Sequence, residues 1–590
     1  MALAHRRALR MVSMPISARP TPVAQRLLPV LGWLPTYQRE WLLPDFLAGL
    51  AVWAVMVPEA MAYAGIVGVP PIMGLYTLIG PLIAYALLGT SRLLVVGPDT
   101  ATGLISALTV SAVAAPGTAD FNTLTSTLAV LIGTFFLLFG VLRMGWVAAF
   151  IPAPVMRGFI EGLVCVTIIG QVPHLLGLSG TSGGFFPKLW YVLQNLSHVS
   201  LAPALTGLLS LAALQVLRHL APRIPAALVI AIVATVLVGL LGGEAAGVSV
   251  VGHLPSGLPH LVLPNLDPTT LQALVPGALA IVMVGYAEAL GGAKAAATES
   301  GGVIDPNQEL IAHGPANMLS GLFGGFLVVG SLSKTSVAMA AAAHTQVANV
   351  VAAVFCFLTL ILLTPLFRGM PHPALAAIVI AAMLHLSKPG YLRDLFTRSG
   401  YEFALAAIVI AGELTLGVLQ GIALGVVVAL LTVIYRVSHP VDAVLGELPG
   451  TEAYRDVKLH PEAVTFPGLL IWRPDGALLF FNVGRFDEGL MKALATSRPP
   501  TTHVLLDADA VSFIDTSTCD ALLDVIKQLQ RQGITFAFAR VRDPVRERMR
   551  LCGIEAAVDS SNFYERVTDG VRAWQRRQSV GEARGLGSLT

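Results

Sequence analysis

Charged side chains stand at unusual places in the long apolar segments of this chain. Glu59 and Tyr63 lie four residues apart in one segment, so both fall on one face of a helix. Asp99 and Lys334 each stand near the start of a short apolar run that follows a Gly-Pro or Gly-Ser break, and Glu288 lies inside a further apolar segment. An ionisable residue within a membrane-length segment marks, by default, a path for substrate, ions or protons.

The two short runs that follow these breaks predict an anion-binding site. Near Asp99 and near Lys334 the runs are too short to cross a bilayer alone, which takes about 20 residues. A helix that begins at mid-membrane leaves its first amide N–H groups free, and the helix dipole makes that end favourable for an anion. Such backbone is tolerated at that depth only where protein or a water-filled cavity surrounds it. An ordinary loop between two full helices is the alternative interpretation of each break.

The elements that must position these residues are transmembrane helices. Hydrophobic residues make up 55% of the chain and charged residues 12%, and the charged share is about half that of a typical soluble protein. Apolar runs of spanning length recur from about residue 44 to about residue 437. We predict a polytopic α-helical membrane protein of about fourteen transmembrane segments, in which the two short runs are the third and the tenth. Half-helices at these positions fit a seven-plus-seven inverted repeat.

Composition and spacing also argue against several other functions. The net charge of +2 argues neither for nor against a nucleic-acid partner, but no basic patch with interleaved aromatic residues occurs, so we predict no such partner. The four cysteines have neither metal-site nor redox-motif spacing. Neither a phosphate-binding Gly-Lys loop nor the spacing of a catalytic triad stands out. We therefore expect a protein that is not an enzyme, has no catalytic residues and holds no metal or cofactor.

After the last apolar run the composition changes and predicts a separate soluble domain. Four apolar segments are predicted to be strands: GLLIWRP, ALLFFNV, HVLLDADAV and ITFAFARV. A helix is predicted between the last two of them, over TSTCDALLDVIKQLQRQG. Together these elements predict a small α/β domain. The arginine-rich N-terminal segment is expected to be cytoplasmic. The predicted organisation is a cytoplasmic segment over 1–43, a transmembrane domain over 44–437, a linker over 438–462, the α/β domain over 463–580 and a disordered tail over 581–590.

The segment PPIMGLYTLIGPLIAYALLGTSRLLVVGPDTA (70–101) closely resembles the signature of the SulP family of anion transporters. DFLAGLAVWAVMVPEAMAYA (45–64) resembles the first span of that family, IPAPVMRGFIEG (151–162) its fifth, and GLFGGFLVVGSLSKTSVAMAAAAHTQ (321–346) its ninth-to-tenth region. The resemblance implies a homodimer in a lipid bilayer. In each subunit a core domain would move against a gate domain, with a small inorganic anion bound between the third and tenth half-helices. The resemblance places Glu288 in the eighth span. It assigns to the substrate site Glu59, Tyr63, Asp99, Thr100, Ala101, Ser333 and Lys334.

The soluble segment LLDADAVSFIDTSTCDALLDVIKQL resembles the core of a STAS domain, the usual cytoplasmic appendage of this family. Ser517 stands where related antagonist proteins are phosphorylated, and a plain helix cap is the alternative interpretation. The resemblance implies a multi-pass protein of the plasma (inner) membrane with cytoplasmic regulators that could act on this domain. An anion-sensing membrane protein that signals through Ser517 is the competing function from another class.

The charges predict coupled transport of the anion. Many family members have arginine at the position of Lys334, and lysine keeps the charge without the bidentate fork, so the anion stays open between sulfate, a dicarboxylate and bicarbonate. Burial and mutual repulsion of Glu59, Asp99 and Glu288 favour the neutral form of at least one of them when a dianion binds. That protonation amounts to proton symport, by alternating access. A channel is a further alternative, and it predicts a large uncoupled current.

We predict that Glu288 is the proton-coupling acid. An alternative that is compatible with this role is a pairing of Glu288 with Lys334 or Lys294 when the site holds no anion. Sodium is the rival coupling ion, but a sodium site would need a hydroxyl one turn after Glu288, where this chain has Gly292.

Overall fold

The structure is a computed structural model that describes residues 23–150, 152–178, 183–221, 225–252, 257–300 and 302–587. The chain divides into two compact units, Met1–Ala429 and Leu430–Thr590. The predicted cytoplasmic segment falls partly on residues 1–22, which lie outside the described residues.

Fourteen helices of the described residues lie where the sequence predicts transmembrane segments. Nine of the described helices are long and apolar enough to cross a membrane. The third and the tenth helix are short, as expected for half-helices. The helices are α1 Leu42–Val67, α2 Pro71–Leu88, α3 Thr100–Ser111, α4 Ala119–Val141, α5 Ala153–Leu176, α6 Leu201–Leu220, α7 Ala226–Leu240, α8 Pro268–Ser300, α9 Pro306–Leu322, α10 Leu332–Ala340, α11 Val347–Leu358, α12 His372–Leu386, α13 Gly400–Thr415 and α14 Val418–Ser438.

Several shorter elements connect or extend these helices. The chain beyond α11 continues as a π turn and a 3-10 turn. Helices Phe185–Gln194 and Pro389–Arg398 lie between α5 and α6 and between α12 and α13. The elements before α1 are Val23–Leu27, Val30–Trp33, Leu34–Thr36 and Arg39–Trp41, and the further 3-10 turns are Gly145–Phe150 and Leu196–His198.

The transmembrane helices pack in two groups. Helices α1 to α4 pack with α8 to α11, and we call these eight helices the core group. Helices α5, α6, α7, α12 and α13 pack mainly with one another, and we call them the gate group. The groups meet where α1 contacts α7 and α12, and where α3 contacts α5. Each group takes helices from equivalent positions of the two halves, which is the arrangement that an inverted repeat produces.

A short antiparallel strand pair brings the two half-helices together. Strand β1, Val95–Gly97, pairs with β2, Val329–Ser331, with Val96 opposite Gly330. Helix α3 begins three residues after β1 ends, and α10 begins directly after β2. The pairing satisfies the backbone groups of both breaks inside the protein, as a buried, non-helical segment requires. It therefore fixes the N-termini of α3 and α10 as neighbours.

Close approach of α1 and α2 depends on Gly74. A Cβ atom added at Gly74 would lie 2.1 Å from the carbonyl oxygen of Ala60, which is backbone and cannot turn away. We expect Gly74→Ala to destabilise the protein by about 1–3 kcal/mol because the two helices must separate. Gly65→Ala is the matched control, since an added Cβ there meets nothing within 4 Å. Thermal unfolding of the purified variants measures both, and equal unfolding temperatures for the two would contradict this packing.

The second unit contains a six-stranded sheet in the order β4-β3-β5-β6-β7-β8. Strands β5 to β8 are parallel, and β3 is antiparallel to both of its neighbours. Buried apolar side chains such as Val504 and Ile526 fill its core. The strands are β3 Ala443–Glu447, β4 Tyr454–Asp456, β5 Leu469–Arg473, β6 His503–Asp507, β7 Thr535–Ala539 and β8 Phe563–Tyr564, and the helices are α15 Val483–Thr496, α16 Thr516–Arg531, α17 Asp543–Leu551, α18 Ile554–Val558 and α19 Val567–Gly587, with a 3-10 turn at Ser560–Asn562.

The structure corrects three details predicted for this unit. The segment 438–462, predicted as a linker, contains β3 and β4, because its alternating residues bury one face in the sheet. ALLFFNV is not a strand: only Leu478 forms a bridge, and Oδ1 of Asn482 accepts from the amide of Leu479 in the turn that leads into α15. Helix α19 runs to Gly587, so the predicted tail from residue 581 begins within a helix, and 588–590 lie outside the described residues.

Candidate functional site

Lys334 bridges the N-termini of the two half-helices. It is the third residue of α10 and only 1% exposed. Its ammonium group donates to the carbonyl oxygen of Pro98, just before α3, over 3.0 Å, and to the hydroxyl of Ser331 over 3.4 Å. A buried ammonium group needs compensation from nearby negative or dipolar groups. The site therefore concentrates its positive charge at the meeting point of α3 and α10.

The carboxylate that neutralises Lys334 comes from α1. Oε2 of Glu59 lies 3.2 Å from Nζ of Lys334, and both side chains are buried. The ring of Tyr63 lies one turn further along α1, with its centroid 5.2 Å from the same nitrogen. Predicted neighbours Glu59, Tyr63 and Lys334 are thus brought together in one cluster.

Asp99 acts as the N-cap of α3. Its Oδ2 accepts hydrogen bonds from the amide N–H groups of Ala101, over 2.8 Å, and Thr102, over 3.3 Å. The side chains of Thr100 and Ala101 are buried beside it. The amide of Ala101, predicted to face the anion, donates in this structure to a carboxylate of the chain itself. An aspartate directly before a helix is a common N-cap, and that rule was the sequence signal for this arrangement.

Helix α10 has an open N-terminus instead. The side chain of its N-cap, Ser331, accepts no hydrogen bond from a backbone amide of the first turn. The Ser331 hydroxyl lies 3.1 Å from that of Ser333 and within reach of Lys334. Ser333 is exposed. Free amide ends of this kind, beside a hydroxyl and an ammonium group, are suited to binding an oxyanion.

Glu288 lies on α8, which packs against both α3 and α10. It is partly buried and close enough to interact electrostatically with Asp99 and Lys334. The alternative pairing of Glu288 with Lys334 is not present in the structure, where Lys334 pairs with Glu59. Lys294 is exposed, which leaves it away from the buried cluster.

A cavity of about 560 Å³ lies between the core and gate groups beside this cluster. Glu59 and Ser333 line it from the core group, and Arg218 and His385 line it from the gate group. Sequence reasoning missed Arg218 and His385. Both lie in the last turns of their helices, where a basic residue usually reaches for lipid headgroups, and only the packing of α6 and α12 turns them toward a cavity.

Ser517 lies exposed in the first turn of α16. Asp515 is the N-cap of that helix and accepts from the amides of Thr518 and Phe480, each over 2.8 Å. Burial opposes ionisation of this carboxyl, but these hydrogen bonds outweigh burial and hold the pKa of Asp515 below its usual value. A phosphate on Ser517 would stand near this anionic cap. Phosphorylation of Ser517 stays a prediction.

Comparison with known proteins identifies the family. The model of the sulfate permease family matches residues 42–409, and the STAS domain model matches residues 460–570. A probable sulfate transporter of Mycobacterium tuberculosis is 33% identical over 552 residues, which cover 92% of this chain and 99% of that protein. The chain belongs to the sulfate permease family. The resemblance to SulP transporters and the predicted STAS domain are thereby confirmed.

Other sulfate permease relatives and solved structures support the same fold. The chloroplastic sulfate transporter 4.1 of Arabidopsis thaliana is 31% identical, over 92% of this chain and 82% of that protein. The murine solute carrier 26 family member A9, an anion transporter solved in its inward-facing state, gives a TM-score of 0.87 at 23% identity, over 97% and 98% of the two chains. The transmembrane domain of the cyanobacterial bicarbonate transporter BicA gives 0.58 at 22% identity, over 68% of this chain and 98% of that one. These two likenesses concern the fold, and they confirm a polytopic helical membrane protein.

Proposed function

We propose that this sulfate permease homologue is a secondary active transporter of an inorganic oxyanion, with sulfate as its principal substrate. The observation that supports this function most is the buried Lys334, whose ammonium group lies between the N-termini of α3 and α10. A buried cation without a partner is costly. Lys334 therefore needs a counter-ion at every stage, and a bound anion can fill that role in place of Glu59.

The proposed binding reaction is an exchange of partners on Lys334. Without substrate, the lysine pairs with Glu59 at 3.2 Å. When the anion enters, it takes the ammonium group, the hydroxyl of Ser333 and the open amide end of α10, and Glu59 moves away. Tyr63, with Asp99, Thr100 and Ala101, forms the rest of the wall. Because α1 also contacts α7 and α12 of the gate group, the displacement of Glu59 would couple anion binding to the position of the core group against the gate group, which is alternating access.

Proton coupling follows from the excess of carboxylates around the site. Glu59, Asp99 and Glu288 would repel a dianion if all three were ionised. We propose that Glu288 takes up one of the coupling protons as the anion binds and releases it on the inner side. Moving one charge across the membrane potential is worth about 2.3 kcal/mol per 100 mV, so import of a dianion into a negative interior needs at least two accompanying positive charges.

Uptake of radiolabelled anions into proteoliposomes with an imposed pH gradient tests this function. We expect sulfate uptake to rise as the outside pH falls, and unlabelled sulfate to compete better than a dicarboxylate or bicarbonate. A stronger effect of bicarbonate or a dicarboxylate would assign a different substrate of the same class. Uptake of none of these anions would contradict the proposal, and a current far above carrier turnover would indicate a channel.

The location and assembly of the protein belong to the same proposal. We place it in the plasma (inner) membrane, with the N-terminal segment and the STAS domain in the cytoplasm, and we propose a homodimer. A cytoplasmic regulator of the STAS domain would act at or near the exposed Ser517.

Asp99 offers a graded test of the charge at the site. Asp99→Asn keeps an N-cap oxygen for the amides of α3. It removes a negative charge next to Pro98, whose carbonyl oxygen accepts from Lys334. We expect the KM for sulfate to fall by about twofold to fivefold, because less repulsion opposes the anion. Thr118→Asn is the control, since Thr118 is the N-cap of α4 away from the site. A KM that rises in Asp99→Asn would mean that the carboxylate assists anion binding.

A further inference from the structure

The cavity beside Lys334 has a positively charged wall that the partner exchange described above leaves unused. We propose that Arg218 is a second anion-binding residue, which receives a divalent oxyanion in this cavity and selects it over monovalent anions. The inference rests on the proposed function, because it concerns the substrate of the same site. It adds a residue from the gate group to a site otherwise built from the core group.

Arg218 is held in place by the backbone of a neighbouring helix. Its Nη1 donates to the carbonyl oxygen of Ala381 on α12, over 2.9 Å, and α6 packs directly against α12. A guanidinium group has five N–H donors, so this bond leaves four for other partners. Within the described part of the chain, no carboxylate forms an ion pair with it. The group is therefore oriented, half-buried and not neutralised by an acid.

The charges of the cavity call for such a cation. Lys334 carries one positive charge, and Glu59 cancels it while the site holds no anion. A dianion that displaces Glu59 would still exceed the charge of Lys334 by one. Arg218 lies on the gate side of the cavity, and Glu59 and Ser333 lie on the core side. Its positive charge reduces the excess of negative charge, to which the displaced Glu59 also contributes. Its planar fork also matches two oxygens of a tetrahedral oxyanion, which the single point charge of Lys334 cannot do.

The remaining cavity wall suits an oxyanion in the same way. Gln215, His219 and His385 line the gate side and offer further N–H groups, and Ser336 adds a hydroxyl on the core side. Among the described lining residues, Glu59 is the only carboxylate. A cavity bordered by donors and one unpaired cation concentrates anions from solution. We infer that the dianion meets Arg218 before, or together with, Lys334.

Binding of sulfate and of nitrate to the purified full-length protein tests the assignment. Isothermal titration calorimetry compares the wild type with Arg218→Gln, Arg218→Lys and Arg157→Gln. Arg157 is the matched control because its guanidinium faces the ring of Tyr391, with 5.2 Å to the centroid, and does not line the cavity. We expect Arg218→Gln to weaken sulfate binding by about tenfold or more, and nitrate binding by less than about threefold. Arg157→Gln should bind both anions as the wild type does.

Arg218→Lys covers the case in which Arg218→Gln does not fold. It keeps the charge and loses the fork, so we expect a sulfate affinity between those of the wild type and Arg218→Gln, with nitrate unchanged. Wild-type sulfate affinity in either variant, or an equal loss of affinity for sulfate and nitrate, would overturn the role of Arg218. The proposed function would stay intact in that case if sulfate uptake persists. Sulfate binding without uptake in the wild type would overturn the proposed function alone, and no sulfate binding by the wild type would overturn both.

Discussion

Lys334→Met should reduce sulfate uptake at least about a hundredfold, which corresponds to about 2.8 kcal/mol of lost stabilisation. The ammonium group is the one positive charge that the described residues place between the N-termini of α3 and α10, within 3.0 Å of Pro98. Methionine fills a similar volume but carries no positive charge, so an anion has no cation to bind in place of Glu59. Initial rates of radiolabelled sulfate uptake into proteoliposomes, at matched protein density, measure the effect.

A second variant separates loss of function from loss of folding. Lys334→Met alone leaves Glu59 as a buried carboxylate without its partner, a change that costs about 3–5 kcal/mol when such a pair is broken. The double variant Glu59→Gln with Lys334→Met removes both charges, so we expect its thermal stability to return close to wild type while uptake stays abolished. Lys334→Arg keeps the charge and should retain most of the uptake. Recovery of uptake in the double variant would show that Lys334 does not bind the anion.

Glu288→Gln should abolish the dependence of uptake on the outside pH and leave sulfate exchange measurable. In the wild type, lower outside pH increases the fraction of protein that carries the coupling proton, so uptake rises as pH falls. Glutamine imitates the protonated carboxyl permanently, and the uptake rate then becomes insensitive to pH. Uptake against an imposed pH gradient, together with sulfate–sulfate exchange at equal pH, distinguishes loss of coupling from loss of transport.

The matched control for Glu288 is another buried acid of the membrane unit. Glu413 on α13 is 1% exposed, and its two carboxylate oxygens have no hydrogen-bond partner among the described residues. It packs against Gly162 of α5 and Gly421 of α14, whereas Lys334 pairs with Glu59. We expect Glu413→Gln to keep the pH dependence of the wild type. If Glu413→Gln loses that dependence and Glu288→Gln keeps it, the proton site lies in the gate group instead.

The meeting of the two half-helices could be predicted from local sequence. A glycine break, a short apolar run and a charge occur together at the start of α3 and at the start of α10, and a break of this kind has a direct physical consequence for backbone in a membrane. The structure places Lys334 beside Pro98, as that reasoning requires. The N-cap role of Asp99 could also be predicted from the local sequence, but its charge favoured the interpretation that it contacts the substrate.

The partners of the charged residues could not be read from the sequence in the same way. Glu59 pairs with Lys334 across 275 positions of the chain because α10 packs on α1 with a particular rotation. Arg218 reaches a carbonyl of α12 that lies 163 positions away. Hydrophobic periodicity indicates which residues form a helix, but these apolar helices have no strong polar face to fix their rotation. The rotation follows from packing, at contacts such as Gly74 against Ala60.

An electron cryomicroscopy map of the full-length protein in lipid nanodiscs at saturating sulfate tests the central claim most directly. We expect tetrahedral density between the N-termini of α3 and α10, within hydrogen-bond distance of Nζ of Lys334 and the hydroxyl of Ser333, with Glu59 displaced from the lysine. Sulfate density elsewhere in the protein, with the ion pair between Glu59 and Lys334 intact, would contradict it.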